Sequence, residues 1–157
     1  MKRLTFFLLA VLALLGCSGN RALLIKTNEM PGWILTDWQV FTKQEEIKKE
    51  LAENYSLYSG YGIKKMIIQE LSTSDFKIIR VEMYFLADKT GARGLYRRYQ
   101  STFQVPVGDE GSETIGMISF YRNNWFVRVI AFRNLMNKND LLKPVARQLD
   151  QKLTSKR

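Results

Sequence analysis

The stretch that decides the fold is IGMISFYRNNWFVRVIAF, residues 115–132. Two apolar runs, residues 115–121 and 125–132, flank Asn123 and Asn124, and asparagine tolerates the positive φ that tight hairpin turns require. Alternate positions place Ile118, Phe120, Val127 and Val129 on one face and Met117, Tyr121, Phe126 and Ile130 on the other. Strands that are apolar on both faces are typical of a sheet covered on both sides. The pattern therefore predicts a central hairpin, or a sheet with one face left for a partner.

A second hairpin is predicted earlier in the chain, from residues 63–71 and 76–85. The four-residue loop between them pairs Leu71 with Phe76. This register also brings together apolar side chains and opposite charges, pairing Met66 with Val81, Ile68 with Ile79, Lys65 with Glu82 and Glu70 with Lys77. Cross-strand pairs of this kind stabilise a sheet by ~0.2–1 kcal/mol each, so we expect this alignment.

Three helices are predicted around these strands. The first follows a capping box of Thr42 and Glu45, the second is capped by Asp88, and the third begins near Asn139. Their apolar faces consist of Ile47, Leu51, Tyr55 and Tyr58, then Ala92, Leu95, Tyr96 and Tyr99, then Leu142, Val145, Leu149 and Leu153. With a strand at residues 33–41, the order predicts an α+β domain: an antiparallel sheet of two hairpins plus an N-terminal strand, packed by about three helices.

Composition limits the chemistry. The 157 residues contain no histidine and one cysteine, which excludes His-dependent catalysis, the common zinc sites and an intrachain disulfide. Residues 105–113 are expected to form an exposed acidic loop, and the spacing of Asp109, Glu110 and Glu113 matches no calcium-loop pattern. The sequence therefore predicts no catalytic residue, no metal site and no cofactor.

The chain is strongly basic, with a formal charge of +9, and removing the two cations Lys2 and Arg3 leaves +7. A basic surface attracts anionic lipids, glycolipids or acidic proteins. The simpler interpretation is an evenly spread, solvated positive surface.

Residues 1–17 have the three parts of an export signal. Lys2 and Arg3 form the positive start, and residues 4–15 form an apolar run that is shorter than the ~20 residues needed to cross a bilayer. A buried core helix is the alternative, but a cationic start and a small-residue end favour a cleaved signal.

The end of that signal, Leu14-Leu15-Gly16-Cys17, resembles the lipobox of bacterial lipoproteins. The resemblance implies that a signal peptidase recognises Leu14, Leu15 and Gly16 and cleaves after Gly16. It also implies that Cys17 carries a diacylglycerol and that its new amino group is acylated. Two or more acyl chains anchor a protein stably. Cleavage at another site, which would leave a free Cys17, stays open.

On this interpretation residues 1–16 are a cleaved signal peptide, residues 17–30 a lipidated tether and residues 31–157 a single α+β domain in the cell envelope. In a Gram-negative cell, the absence of aspartate after Cys17 resembles lipoproteins sorted to the outer membrane, which implies a location there, facing the periplasm. Nucleic acid is not an expected partner, because an exported chain rarely meets it.

The candidate ligand or partner contacts are Tyr58, Tyr84, Arg93, Tyr96 and Arg97. Arg93 and Arg97 lie one helical turn apart and can bind a carboxylate or phosphate together. The alternative is that they only form a basic, solvent-exposed face of the helix. The tyrosines can line an apolar ligand pocket or belong to the core. Gly91 and Gly94, on the same helix as the arginines, indicate close backbone packing.

Four segments resemble a family of bacterial envelope proteins, the domain of unknown function numbered 6599. They are YSGYG at residues 58–62, VEMY at 81–84, GARGLY at 91–96 and FVRV at 126–129. The resemblance covers residues 33–153. It implies only the fold and the envelope setting, because the family has no established activity.

Two functions follow from these observations. The first is a non-enzymatic, membrane-anchored envelope lipoprotein that binds a partner protein or an anionic envelope component. The alternative is a small-ligand carrier or enzyme with a pocket lined by tyrosine and arginine. A deep cavity that joins Tyr58, Tyr84 and Arg97 would favour the alternative.

Overall fold

The computed structural model describes residues 20–132 and 139–155. The strands are β1 (Ile34–Phe41), β2 (Ile63–Ser72), β3 (Ile78–Leu86), β4 (Phe103–Gln104), β5 (Glu110–Thr114), β6 (Met117–Arg122) and β7 (Trp125–Ala131). The helices are α1 (Gln44–Leu51), α2 (Tyr55–Gly60), α3 (Lys89–Tyr99) and α4 (Leu142–Thr154). The strands form one antiparallel sheet in the spatial order β1-β2-β3-β7-β6-β5-β4. The α+β class and the antiparallel sheet are confirmed.

Apolar side chains fill two separate cores, one on each face of the sheet. One core holds Ile118, Phe120, Val127 and Val129 together with the apolar stripe of α4. The other core holds Tyr121 and Phe126 under the apolar stripes of α1, α2 and α3. The prediction that the central hairpin is covered on both sides is therefore confirmed.

The amino-terminal segment belongs to the folded domain, which corrects the tether expected at residues 17–30. Leu23, Leu24 and Ile25 are at most 4% exposed and lie in the same core as α4. The backbone N–H of Ile25 donates to Gln69 Oε1 at 3.0 Å. The packed domain therefore begins by Leu23, because this apolar run covers a part of the sheet near β1 and β2.

The register of the β2–β3 hairpin differs from the predicted one by three residues. Leu71 lies opposite Ile79, not Phe76. Phe76 lies in the turn with φ +59°, and the turn closes through a hydrogen bond from Thr73 N–H to the Lys77 carbonyl. The Thr73 hydroxyl also accepts from Lys77 N–H. These local bonds lengthen the turn, so β3 begins only at Ile78, and the expected charge pairs do not form.

The first predicted helix is two helices, α1 and α2, joined by a 3₁₀ turn at Ala52–Asn54. Ala52 has a positive φ of 47°, which ends α1. The capping box of Thr42 and Glu45 does not form, since Lys43 takes the N-cap position and no side chain caps it. The predicted cap of α3 is confirmed: Asp88 Oδ1 accepts from Gly91 N–H at 2.7 Å.

The acidic loop predicted at residues 105–113 ends inside a strand, β5. Its carboxylates are paired with cations: Asp109 with Lys89 and Arg122, Glu110 with Arg93, and Glu113 with Lys143. These pairs, and the hydrogen bonds of β5 to β6, replace the contacts with solvent that the sequence suggested.

None of the helices within residues 20–132 and 139–155 has the length and apolar character needed to span a membrane.

Candidate functional site

The structure divides the candidate contact residues between two concavities. Tyr58 and Tyr84 line the first, which we call the tyrosine cavity. Arg93 and Arg97 line the second, which we call the arginine groove. Tyr96 is fully buried, packs on Tyr121 with a ring-centroid distance of 5.6 Å, and lines neither. The convergence of Tyr58, Tyr84 and Arg97 that would have favoured a carrier does not occur.

The tyrosine cavity has a volume of about 320 Å³ and lies beneath α1 and α2. Its floor is the centre of the sheet, where Glu82 of β3 lies directly opposite Arg128 of β7. Tyr84 follows two residues after Glu82, and alternate residues of a strand share a face. Both side chains therefore point to the side of the sheet that α2 covers with Tyr58.

A hydrogen-bond network centres on the Glu82 carboxylate. It accepts from Tyr84 Oη at 2.8 Å, from Arg128 Nη1 at 3.1 Å and from Arg80 Nε at 3.0 Å. Arg80 Nη2 also lies 3.4 Å from Glu50 Oε1, and Arg80 Nη1 lies 3.5 Å from Glu70 Oε1. The charges of both arginines are thus largely balanced within the protein.

The tyrosines form a ring cluster above this network. The rings of Tyr58 and Tyr84 are 4.7 Å apart, and the hydroxyls of Tyr58 and Tyr99 are hydrogen-bonded at 2.9 Å. The Arg128 guanidinium lies 4.6 Å from the Tyr99 ring centroid, within the range of a cation–π interaction.

Burial controls the ionisation of these groups. Burial, followed by the hydrogen bond with Tyr99, raises the pKa of Tyr58 far above its usual value. Burial, followed by the negative charge of Glu82, raises the pKa of Tyr84 in the same direction. Burial acts to lower the pKa of Arg128, but the charge of Glu82 together with the interactions with Tyr84, Tyr58 and Tyr99 outweighs it, and the pKa is raised. At neutral pH the cavity therefore presents neutral phenols and a positive guanidinium beside the Glu82 carboxylate, and these groups can bind polar groups.

One donor in this network is unused. The Nε of Arg128 is buried and has no hydrogen-bond partner among the described residues. A buried donor without a partner costs ~1–3 kcal/mol. Arg128 itself lines the cavity.

The cavity residues Arg80, Glu82, Tyr99 and Arg128 were not among the predicted contacts. A signal was available in FVRV and VEMY: each places one charged residue among apolar and aromatic residues. Charges buried in this way are generally paired. Their pairing across β3 and β7 depends on a strand order that the sequence does not state.

The arginine groove has a volume of about 520 Å³ and follows α3. Lys89, Arg93 and Arg97 recur every four residues, so they lie along one side of the helix. Lys89 is 2.8 Å from Asp109, and Arg93 is 2.9 Å from Glu110. Arg97 is exposed, and no carboxylate of residues 20–132 or 139–155 pairs with it.

Leu14, Leu15, Gly16 and Cys17, the residues of the predicted lipidation site, lie outside the described residues. Within the described ranges, no group of three or more histidine, cysteine, aspartate or glutamate residues is arranged to hold a metal ion.

The chain matches no protein-family model, and no curated protein and no solved structure is significantly similar to it. The resemblance to the domain of unknown function numbered 6599 stays a prediction.

Proposed function

We propose that this protein is a lipid-anchored, non-enzymatic protein of the cell envelope that binds an anionic envelope component in the arginine groove. The observation that carries the binding is the row of Lys89, Arg93 and Arg97 along one concave surface. Anchoring rests on the lipobox-like stretch that ends at Cys17.

The groove is suited to phosphate or carboxylate groups. Its three cations face a single acidic lining residue, Glu110. A guanidinium has five N–H donors in a rigid fork, and the contact of Arg93 with Glu110 is made through Nε. Donors of Arg93 and the whole guanidinium of Arg97 therefore remain for a ligand, and the groove holds more positive than negative charge.

Charge reversal tests the groove. In a chain of residues 20–157, we expect Arg97→Glu to weaken binding of lipopolysaccharide micelles about tenfold or more, because one charge-assisted hydrogen bond contributes ~1.5–3 kcal/mol. Titration calorimetry measures the effect. Arg98→Glu is the matched control: it is the next residue of α3, equally charged and exposed, and outside the groove lining.

Equal losses in the two variants would mean that only general surface charge acts, and the groove would be rejected as the site. A different outcome would assign the groove to a protein partner: an acidic peptide binds and its binding is weakened by Arg97→Glu, while lipopolysaccharide does not bind.

Anchoring has its own experiment. We expect the mature protein to leave native membranes with detergent and not with high salt, and Cys17→Ala to give an unprocessed or soluble form. Mass analysis of the mature amino terminus measures the acylation. A Cys17→Ala protein that is processed and membrane-bound like the wild type would contradict the lipid anchor.

A small-ligand carrier is the second candidate, favoured by the unpartnered Nε of Arg128 beside the tyrosine cavity. It ranks second because Glu82 already neutralises the cavity and Arg97 lies elsewhere. Native mass spectrometry tests it: a small molecule retained by the wild type and lost in Tyr58→Phe would support the carrier.

A further inference from the structure

Two cation–aromatic pairs flank Asn20, where the described chain begins. Lys65 Nζ donates to Asn20 Oδ1 at 2.9 Å and lies 5.8 Å from the Phe85 ring centroid. On the next residue, the Arg21 guanidinium lies 5.4 Å from the Trp38 ring centroid. We call the surface formed by Arg21, Lys26, Trp38, Lys65 and Phe85 the anchor face.

The anchor face combines apolar surface with positive charge. A concavity of about 360 Å³ is lined by Leu24, Leu35 and Trp38, with Arg21 and Lys26 completing it. Trp38 is 38% exposed on β1, and β1 is an edge of the sheet.

The acidic groups nearby are already engaged. Asp37 accepts a hydrogen bond from the Trp38 backbone N–H at 2.8 Å. Glu29 pairs with Lys152 at 2.8 Å and accepts from the Lys26 backbone N–H. The side chains of Arg21 and Lys26 therefore remain available to an external anion.

The chain between the proposed lipid and this face is very short. Only Ser18 and Gly19 lie between Cys17 and Asn20, and the three residue steps from Cys17 to Asn20 span about 10 Å when fully extended. The headgroup layer on one side of a bilayer is ~5–8 Å thick. Because acyl chains on Cys17 would lie in the hydrocarbon, Asn20 would lie at the headgroup surface with the anchor face around it.

We propose that the anchor face docks on the anionic headgroups of the same bilayer that holds the acyl chains of Cys17. This inference rests on the proposed lipid anchor. Tryptophan favours the headgroup level of a bilayer, and each Lys or Arg near an anionic membrane strengthens the attraction. The lipid then fixes the distance of the domain from the membrane, and the anchor face fixes its orientation.

Fluorescence quenching tests the docking. The acylated full-length mature protein is reconstituted into phosphatidylcholine–phosphatidylglycerol vesicles in which part of the phosphatidylcholine is brominated near the headgroup. We expect tryptophan emission to be quenched, and Trp38→Phe to lose a large part of that quenching, because Trp38 is 38% exposed whereas Trp33 is buried at 8% exposure and Trp125 is half-buried against Phe85. The paired change Arg21→Glu with Lys26→Glu should reduce quenching to the Trp38→Phe level or below it, because an undocked face also takes Trp125 away from the bilayer.

Lys48→Glu with Lys49→Glu is the matched control, since these exposed lysines lie on α1, which packs on the opposite face of the sheet. This variant should be quenched like the wild type. Acylated protein whose Trp38 is not quenched, or equal effects of the two charge-reversed pairs, would overturn the docking and leave the lipid anchor standing. An unmodified Cys17 in the mass spectrum would overturn both.

Discussion

Gly91 and Gly94 let α3 lie directly on the turn that carries Tyr61. A Cβ added at Gly91 would lie 2.4 Å from the backbone oxygen of Tyr61, and one at Gly94 would lie 2.7 Å from its ring. Glycine within a helix costs ~0.5–1 kcal/mol relative to alanine. The close packing indicated by the sequence is confirmed, and it explains why α3 tolerates that cost.

Gly91→Ala should therefore destabilise the protein by about 1–3 kcal/mol, because a backbone atom has to move to admit the methyl group. Chemical denaturation measures the change in the free energy of unfolding. Gly60→Ala is the control: its Cβ would meet nothing within 4 Å, so we expect no loss and a gain of up to ~1 kcal/mol. Similar effects in the two variants would contradict the packing argument.

Asp109 matches no metal-binding pattern in the sequence, but in the fold its carboxylate pairs with cations that lower its pKa. Burial acts to raise the pKa of its carboxyl, but hydrogen bonds from Lys89 and from the Asn123 backbone, with the charges of Lys89 and Arg122, hold it below its usual value. A depressed folded-state pKa stabilises the protein above the unfolded pKa, and this stability is lost as the pH falls through the folded value.

Asp109→Asn should thus lower the free energy of unfolding at pH 7 by about 1–2 kcal/mol. The difference from the wild type should shrink as the pH falls below about 4 and vanish once Asp109 is protonated in the folded wild type. Urea denaturation across this pH range measures it. A difference that stays constant with pH would show that the charge is not what stabilises.

The pairing of β3 with β7 builds the tyrosine cavity at the level of elements. These strands are separated in sequence by α3, β4, β5 and β6, yet they place Glu82 opposite Arg128. Sequence patterns report the period within each strand. They do not report which strands are neighbours, so the cavity was predicted only in part, through Tyr58 and Tyr84.

Glu82→Gln should destabilise the protein by about 2–3 kcal/mol, because Arg80 and Arg128 lose the carboxylate that both of them contact; the value lies below that of a fully buried pair, since these side chains are partly exposed. Glu70→Gln is the control, because Glu70 contacts Arg80 alone at 3.5 Å and is 32% exposed. Its cost should stay within ~1 kcal/mol. Thermal denaturation compares the two, and equal costs would count against the central role of Glu82.

The β2–β3 hairpin shows how turn chemistry overrides strand pattern. The three-residue difference is odd, so it changes which faces of the two strands are paired. Because β2 and β3 carry apolar side chains on both faces, apolar alternation does not select the alignment. The hydrogen bonds of Thr73 and the positive φ of Phe76 select it here. A longer turn was not distinguishable from a four-residue loop by composition.

At the scale of the whole molecule, coverage of the sheet depends on the amino-terminal segment. α4 and this segment cover one face, while α1, α2 and α3 cover the other. The burial of Leu23, Leu24 and Ile25 contributes ~1.5–3 kcal/mol for each side chain. That sum is comparable with the 5–15 kcal/mol by which a typical domain is stable.

A chain that begins at Trp33 should therefore be unfolded or aggregated at 25 °C, whereas a chain that begins at Asn20 should unfold cooperatively on heating. Circular dichroism and differential scanning calorimetry compare them. If the chain that begins at Trp33 is stable and unfolds cooperatively, this argument is wrong and the tether predicted at residues 17–30 is supported.

Hydrophobic period and turn residues are local properties of the chain, and they were sufficient to predict the α+β class, the antiparallel hairpins and the covering of the central strands on both faces. They did not predict the order of the strands, the alignment of β2 with β3, the inclusion of residues 23–25 in the core or the separation of Tyr58 and Tyr84 from Arg97. The strand order, the burial of residues 23–25 and the separation of the candidate residues depend on contacts between residues far apart in the chain, where several arrangements bury similar apolar surface. The alignment of β2 with β3 depends on hydrogen bonds of the Thr73 turn that composition does not distinguish from a four-residue loop.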